Sequence, residues 1–253
     1  MTCLFLPCRT LVITAGLVAT LPAAAVERYV GSAYAKDSQT LLYREVHLVN
    51  GTRQAVVFQC PDGKAFARKQ LQSAGAATQP DFAFKDGRTG YEEGVRHDGA
   101  SRVAYVREVD GTATTHALPA KPDAVIDAGF DAYVRAHWDD VSRSSVSVPF
   151  LVTRRGKFYP VKVAASESSE GMRRFSMKLD AWYGFATPTI TLTYSEASRQ
   201  LRRYEGPGTI RDAKGKPVDV RIEFPASERQ GDGPAASFDA ALALPLDGRC
   251  LSS

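Results

Sequence analysis

The chain has 253 residues, 44% of them hydrophobic, and a formal net charge of +4 at pH 7. That length suffices to bury a sizeable core, and a charge so near balance excludes recruitment to nucleic acid by a basic surface. Residues 1–25 hold one charged side chain, Arg9, ahead of an apolar run from Leu11 to Leu21 that Pro22 ends. The run falls short of the roughly 20 residues that a membrane-spanning helix needs, and Ala23-Ala24-Ala25 offers the small residues that signal peptidases accept. A secretory signal peptide is therefore expected over 1–25, followed by a single β-rich domain over 26–253 with no transmembrane segment. Export to the periplasm or beyond removes Cys3 and Cys8 and leaves Cys60 and Cys250. In an oxidising compartment that pair reads as one disulfide, with two free thiols as the alternative.

The mature chain begins as short extended segments separated by turns. Residues 40–49 and 53–60 flank Asn50-Gly51, a strong hairpin signal. With Asn50-Gly51 as the two turn residues, His47 is expected opposite Gln54 and Glu45 opposite Val56. Pro61-Asp62-Gly63 turns the chain before 65–72, and further strands are expected at 90–97, 101–109 and 112–117. Pro122-Asp123 then opens a run whose apolar positions, including Val125, Ile126, Phe130, Val134, Trp138 and Val141, recur at spacings of three and four. Such spacing predicts one main helix over about 123–141. Beyond it, alternation returns in Val146 to Val152, Phe175 to Leu179, Ile190 to Tyr194 and Val218 to Phe224. Period-two patterning with a polar opposite face describes antiparallel strands wet on one side. The small and polar stretches 166–171 and 226–236 read as loops. Taken together, the elements predict a mainly β (α+β) fold: a curved antiparallel sheet or incomplete β-barrel wrapped around one main helix.

Motifs for catalysis are sparse. The sequence has no G-x-S-x-G, H-E-x-x-H, C-x-x-C, P-loop or G-x-G-x-x-G pattern, so no residue is assigned a catalytic or metal-binding role and no cofactor is invoked. His137 and Asp140 share a helical face; orientation of a half-buried histidine is the simpler reading, and acid–base or metal chemistry the other. Tyr43, Glu45 and His47 fall in phase with Val56 and Phe58. A polar trio among apolar neighbours suits either a ligand cavity or the rim of an amphipathic sheet. Trp182, Tyr183 and Phe185 cluster between strands, where aromatic rings either grip an apolar ligand or pack into the core.

A signal peptide, a curved antiparallel sheet and a helix inside the curve resemble the periplasmic lipoprotein-carrier fold of LolA and LolB. The run Leu192-Thr193-Tyr194 to Leu201-Arg202-Arg203-Tyr204-Glu205-Gly206, with Val218 to Ile222 beyond it, is similar to uncharacterised exported proteins of proteobacteria. The first resemblance is architectural and transfers no functional residue. It implies a cavity for acyl chains, and hence a lipid or a lipoprotein acyl chain as partner. A structural role with an envelope protein as partner is the second reading, and an unrecognised periplasmic enzyme the third.

Overall fold

The computed structural model describes residues 25–166, 169–180 and 188–250. Nearly all of the expected signal segment lies outside these residues, as do the candidate aromatics Trp182, Tyr183 and Phe185. The first half of the chain forms β1 (Val26–Ala35), β2 (Leu41–Asn50), β3 (Arg53–Gln59), β4 (Ala65–Gln72), β5 (Asp81–Asp86), β6 (Glu92–Asp98), β7 (Ser101–Arg107) and β8 (Ala113–Leu118). Two short helices follow, α1 (Gly129–Ala136) and α2 (Trp138–Arg143). The second half supplies β9 (Val146–Val152), β10 (Lys157–Ala165), β11 (Met172–Leu179), β12 (Ile190–Ser195), β13 (Leu201–Arg211) and β14 (Pro217–Glu223). Last come β15 (Arg229–Gly233) and α3 (Ala236–Ala243).

All 15 strands join one open antiparallel sheet, which does not close into a barrel. Its order is two meanders, β8 back to β1 and β14 back to β9, joined where β1 pairs with β14. Short connections between sequence neighbours generate each meander; the β1–β14 seam is the long-range pairing. β15 adds to β1 alongside it. The sheet bends so that its far ends approach one another. At the tip of the β9–β10 hairpin, Arg154 Nε donates to Glu108 Oε1 at 2.7 Å. Beside it Gly156, at φ 59°, abuts His116, and a Cβ there would lie 2.2 Å from the His116 Cβ.

The helix reading needs correction. Residues 123–128 are not helical, and the remainder splits into α1 and α2 at His137 (φ −106°, ψ 25°). Val125 instead lies beside β9: its N–H donates to Pro149 O and its carbonyl accepts from Leu151 N. Ile126 N–H goes to Thr78 O, and Asp127 at φ 47° turns the chain before α1 begins. These backbone groups are committed to other elements and unavailable to a helical ladder. Val125 and Ile126 are still fully buried, so a strap filling the inside of a bent sheet produces the same apolar spacing as a first helical turn. Two other expectations change. Residues 226–236, read as a loop, contain β15, and α3 follows directly. In the β2–β3 hairpin, Asn50 pairs with Arg53, so the turn residues are Gly51-Thr52. With Gly51 at φ 58° in the first central position, where mirror-image hairpin turns favour glycine, His47 moves opposite Val56 and Glu45 opposite Phe58. The shift is two residues, so facing is preserved.

The sheet has a packed side inside the bend and another outside. On the inside, Tyr43, Val56, Phe58, Phe82, Phe84 and Ile222 form one buried cluster with Ile126. Phe130, Val134, Trp138 and Val141 form a second with Val148, Val163, Phe175 and Tyr194. Trp138 meets Phe175 and Tyr194 edge-on, with centroids 5.2 and 5.8 Å apart. On the outside, Val46, Leu48 and Val57 are covered by Phe238 and Ala241 of α3. The tail after α3 is tied down by a disulfide between Cys60 and Cys250, 190 residues apart.

Candidate functional site

Cross-strand register places ionisable groups in one row on the inside of the bend. Tyr29 faces His47, His47 faces Val56, Val56 faces Lys69, Lys69 faces Phe84, and Phe84 faces Glu93. Directly opposed residues share a face, so His47, Lys69 and Glu93 occupy positions that the alternation reserves for apolar side chains. Each has a partner. Lys69 Nζ donates to both Asp127 oxygens at 2.8 Å and to Thr209 Oγ1 at 3.3 Å. Glu93 accepts from the Tyr91 hydroxyl at 2.9 Å and faces Arg211 at 3.8 Å. Burial pushes the Glu93 carboxyl above the ordinary glutamate range, and Arg211 and the Tyr91 hydrogen bond recover part of that shift.

At the other end of the row sits the pair singled out from sequence. His47 Nε2 lies 3.1 Å from Glu45 Oε2, and both side chains are nearly buried. The His47 ring stacks on Tyr29 at 4.4 Å with an interplanar angle of 10°, and Phe224 meets it edge-on at 5.6 Å. Its other nitrogen, Nδ1, is 3.2 Å from Gln54 Nε2, and the same amide group donates to the Tyr29 hydroxyl at 3.3 Å. Burial, then the Asp131 carboxylate, pushes the Tyr29 phenol far above its ordinary value. Tyr43 sits apart from this network. It packs edge-on to Phe66, and its buried hydroxyl has no hydrogen-bond partner among the described residues.

Gln54 joins the buried pair to the surface. It lines an open cleft of about 270 Å³ between the β2–β3 hairpin end, the β4–β5 connection and the start of α1. Small residues (Gly51, Ser73, Gly75, Ala77, Gly129, Ala132) shape the space, Leu71 and Pro80 give it apolar wall, and Arg53, Asp131 and Arg135 give it charge. Arg135 pairs with Asp131 at 2.8 Å. Partial burial pushes the Asp131 carboxyl upward against the pull of Arg135. Apolar wall beside a few oriented polar groups is the usual composition of a small-molecule site.

The structure thus brings Glu45 and His47 together behind the cleft, leaves Tyr43 in the aromatic core, and adds Gln54, Lys69, Glu93, Asp127, Asp131 and Arg135. His137, at the junction of α1 and α2, and Asp140, on α2, are exposed and 3.9 Å apart. Among the described residues no group of three or more His, Cys, Asp or Glu could hold a metal ion, and no helix is long and apolar enough to cross a membrane. Comparisons with protein-family models, curated proteins and solved structures returned no match. Fold and site together define an open, bent antiparallel sheet with a small mixed-polarity cleft at one mouth.

Proposed function

We propose that this is an exported, periplasmic binding or carrier protein that holds an amphipathic, lipid-like ligand at the mouth of its bent sheet. One observation carries the reading: the cleft beside α1 combines apolar wall with Gln54, Asp131 and Arg135, and Gln54 leads directly to the buried His47–Glu45 pair. The resemblance to the lipoprotein carriers expected from the sequence is what suggests an acyl chain as the apolar part. The signal-like N-terminus and the Cys60–Cys250 bridge favour an oxidising compartment outside the cytoplasm. Native mass spectrometry of the protein purified from its own envelope tests the reading. An adduct of lipid mass that organic solvent extracts is expected; a bare protein mass from several gentle preparations would sink it.

A second reading, a structural envelope protein with a filled core and no small ligand, draws on the aromatic packing inside the bend. Tyr43–Phe58, Tyr43–Phe66, Phe58–Phe66 and Phe58–Phe84 form a continuous set of tilted and edge-on pairs with centroids 5.7–6.3 Å apart. On that reading an affinity pull-down from envelope extract returns a protein partner and no lipid.

A further inference from the structure

We infer that Gln54 sets the head-group specificity of the cleft, and that His47 reverses it by gaining or losing one proton. The inference rests on the binding role proposed above and names the ligand chemistry: an amphiphile with an acidic head group. As placed, the Gln54 amide nitrogen serves both His47 Nδ1 and the Tyr29 oxygen. That arrangement fits a neutral imidazole with its proton on Nε2, where it donates to Glu45. One proton from solvent converts Nδ1 into a donor, so two donors then meet head-on across 3.2 Å.

A half-turn of the amide relieves the conflict at no loss of bonding. Gln54 Oε1 then accepts from both His47 Nδ1–H and the Tyr29 hydroxyl, which is able to donate as readily as to accept. The ring need not move, because Tyr29 on one face and Phe224 at its edge hold it, and Nε2–H stays on Glu45 in both states. Only the outward end of the amide changes. Gln54 lines the cleft, so with His47 neutral its Oε1, which has no hydrogen-bond partner among the described residues, is the acceptor left for a ligand; with His47 protonated, the NH₂ group takes that place. Arg53 and Arg135 line the same space, Arg135 paired with Asp131 at 2.8 Å and Arg53 with Asp239 at 3.6 Å, so the protonated state adds an amide donor beside two arginines whose charges are each matched by a carboxylate. An acidic head group gains a hydrogen bond in that state and meets a lone-pair repulsion in the other.

The charges facing His47 from its surroundings are Glu45 on its own strand, Asp131 on α1, and Glu27 and Arg229, which reach it through Tyr29. Arg229 lies 4.2 Å over the Tyr29 ring.

The test uses the mature chain with its disulfide intact, titrated by NMR over about pH 5–8, where histidines change charge. Decyl sulfate, anionic throughout, and decyl glucoside, uncharged, serve as probes below their micelle-forming concentrations. The Gln54 side-chain amide signals should move with the same midpoint as the His47 ring nitrogens. Decyl sulfate should bind about tenfold more tightly once His47 is protonated, the size of one charge-assisted hydrogen bond, with decyl glucoside unchanged and Gln54→Leu removing the difference. Amide signals that ignore the His47 titration overturn the relay, whatever the probes do, and need no variant to be read. Amide signals that follow it while neither probe perturbs the cleft overturn the ligand assignment and the binding role together, leaving the relay standing alone.

Discussion

Lys69 Nζ lies 2.8 Å from each carboxylate oxygen of Asp127. Through this contact β4 grips the strap that carries Val125 and Ile126 across the inside of the sheet. Lys69 is only 8% exposed at its side chain, Asp127 22%. Ions so placed have lost most of their hydration, and each depends on the other to offset that loss.

Removing one partner is therefore costly. Lys69→Met should lower stability by about 3 kcal/mol, because it leaves the Asp127 carboxylate poorly solvated. Lys69→Met with Asp127→Asn should recover part of that loss, since asparagine tolerates the left-handed backbone at this position and needs no counter-ion. Urea unfolding of the three proteins decides it. Equal losses in the single and double variants would mean that the pair is not what holds the strap.

Gly31 faces Glu45 across the β1–β2 ladder, and a Cβ there would come within 2.4 Å of the Phe224 ring. Gly31→Ala should cost about 1–3 kcal/mol through overpacking. Because Phe224 also abuts His47, the displaced ring should shift the His47 NMR signals. Gly31→Ala combined with Phe224→Leu should relieve the strain. An alanine variant as stable as the parent would show that β1 and β14 are not packed so closely.

The buried Glu93 makes stability depend on pH in a fixed direction. Its folded value lies above the unfolded one, so within that window the native state holds a proton that the unfolded chain has released. Stability contributed by this group is complete below the ordinary glutamate range, about 4.3, and declines as pH rises towards the folded value. Glu93→Gln should lack that decline. The Arg211 contact belongs to the same titration, because only the ionised carboxylate attracts it, so the slope is the diagnostic quantity. Parallel stability–pH curves for the two proteins would contradict the assignment.

The Cys60–Cys250 bridge should contribute about 2–5 kcal/mol by restricting the unfolded chain. Cys60→Ala with Cys250→Ala should lower the unfolding free energy by that amount, and the denaturation midpoint with it, and release the tail that Arg88 holds through the Cys250 carbonyl. Faster hydrogen exchange at residues 244–250 is the matching local signature. Unchanged midpoint and exchange would show that packing alone retains the tail.

Elements whose geometry is dictated within a few residues were legible in the sequence. The β2–β3 hairpin was legible from Asn50-Gly51, with its turn one residue later at Gly51-Thr52, and β12 and β14 from alternation of Ile190-Leu192-Tyr194 and Val218-Val220-Ile222. Where structure depends on distant partners, local signals gave out. Nothing near Val26 or Phe224 announces that β1 and β14 pair, and the Gly-rich β15 becomes a strand only because β1 offers it an edge. Helical spacing identified the buried side of Phe130, Val134 and Trp138 correctly, while the segment before it borrows the same spacing for a strap. Glu45 and His47 were legible as polar residues in phase with Val56 and Phe58. Lys69 among Ala67 and Leu71, and Glu93 between Tyr91 and Val95, carry the same signal and were passed over. Asp127, Asp131 and Arg135 join the site through tertiary folding alone.

The most direct test of ligand holding is amide chemical-shift mapping of the isotope-labelled mature protein, titrated with lipid extracted from its own envelope. Saturable shifts concentrated in residues 49–54, 73–80 and 128–135 are the expected result. Shifts that never saturate, that gather elsewhere on the sheet, or that fail to appear at all would contradict a ligand-holding cleft.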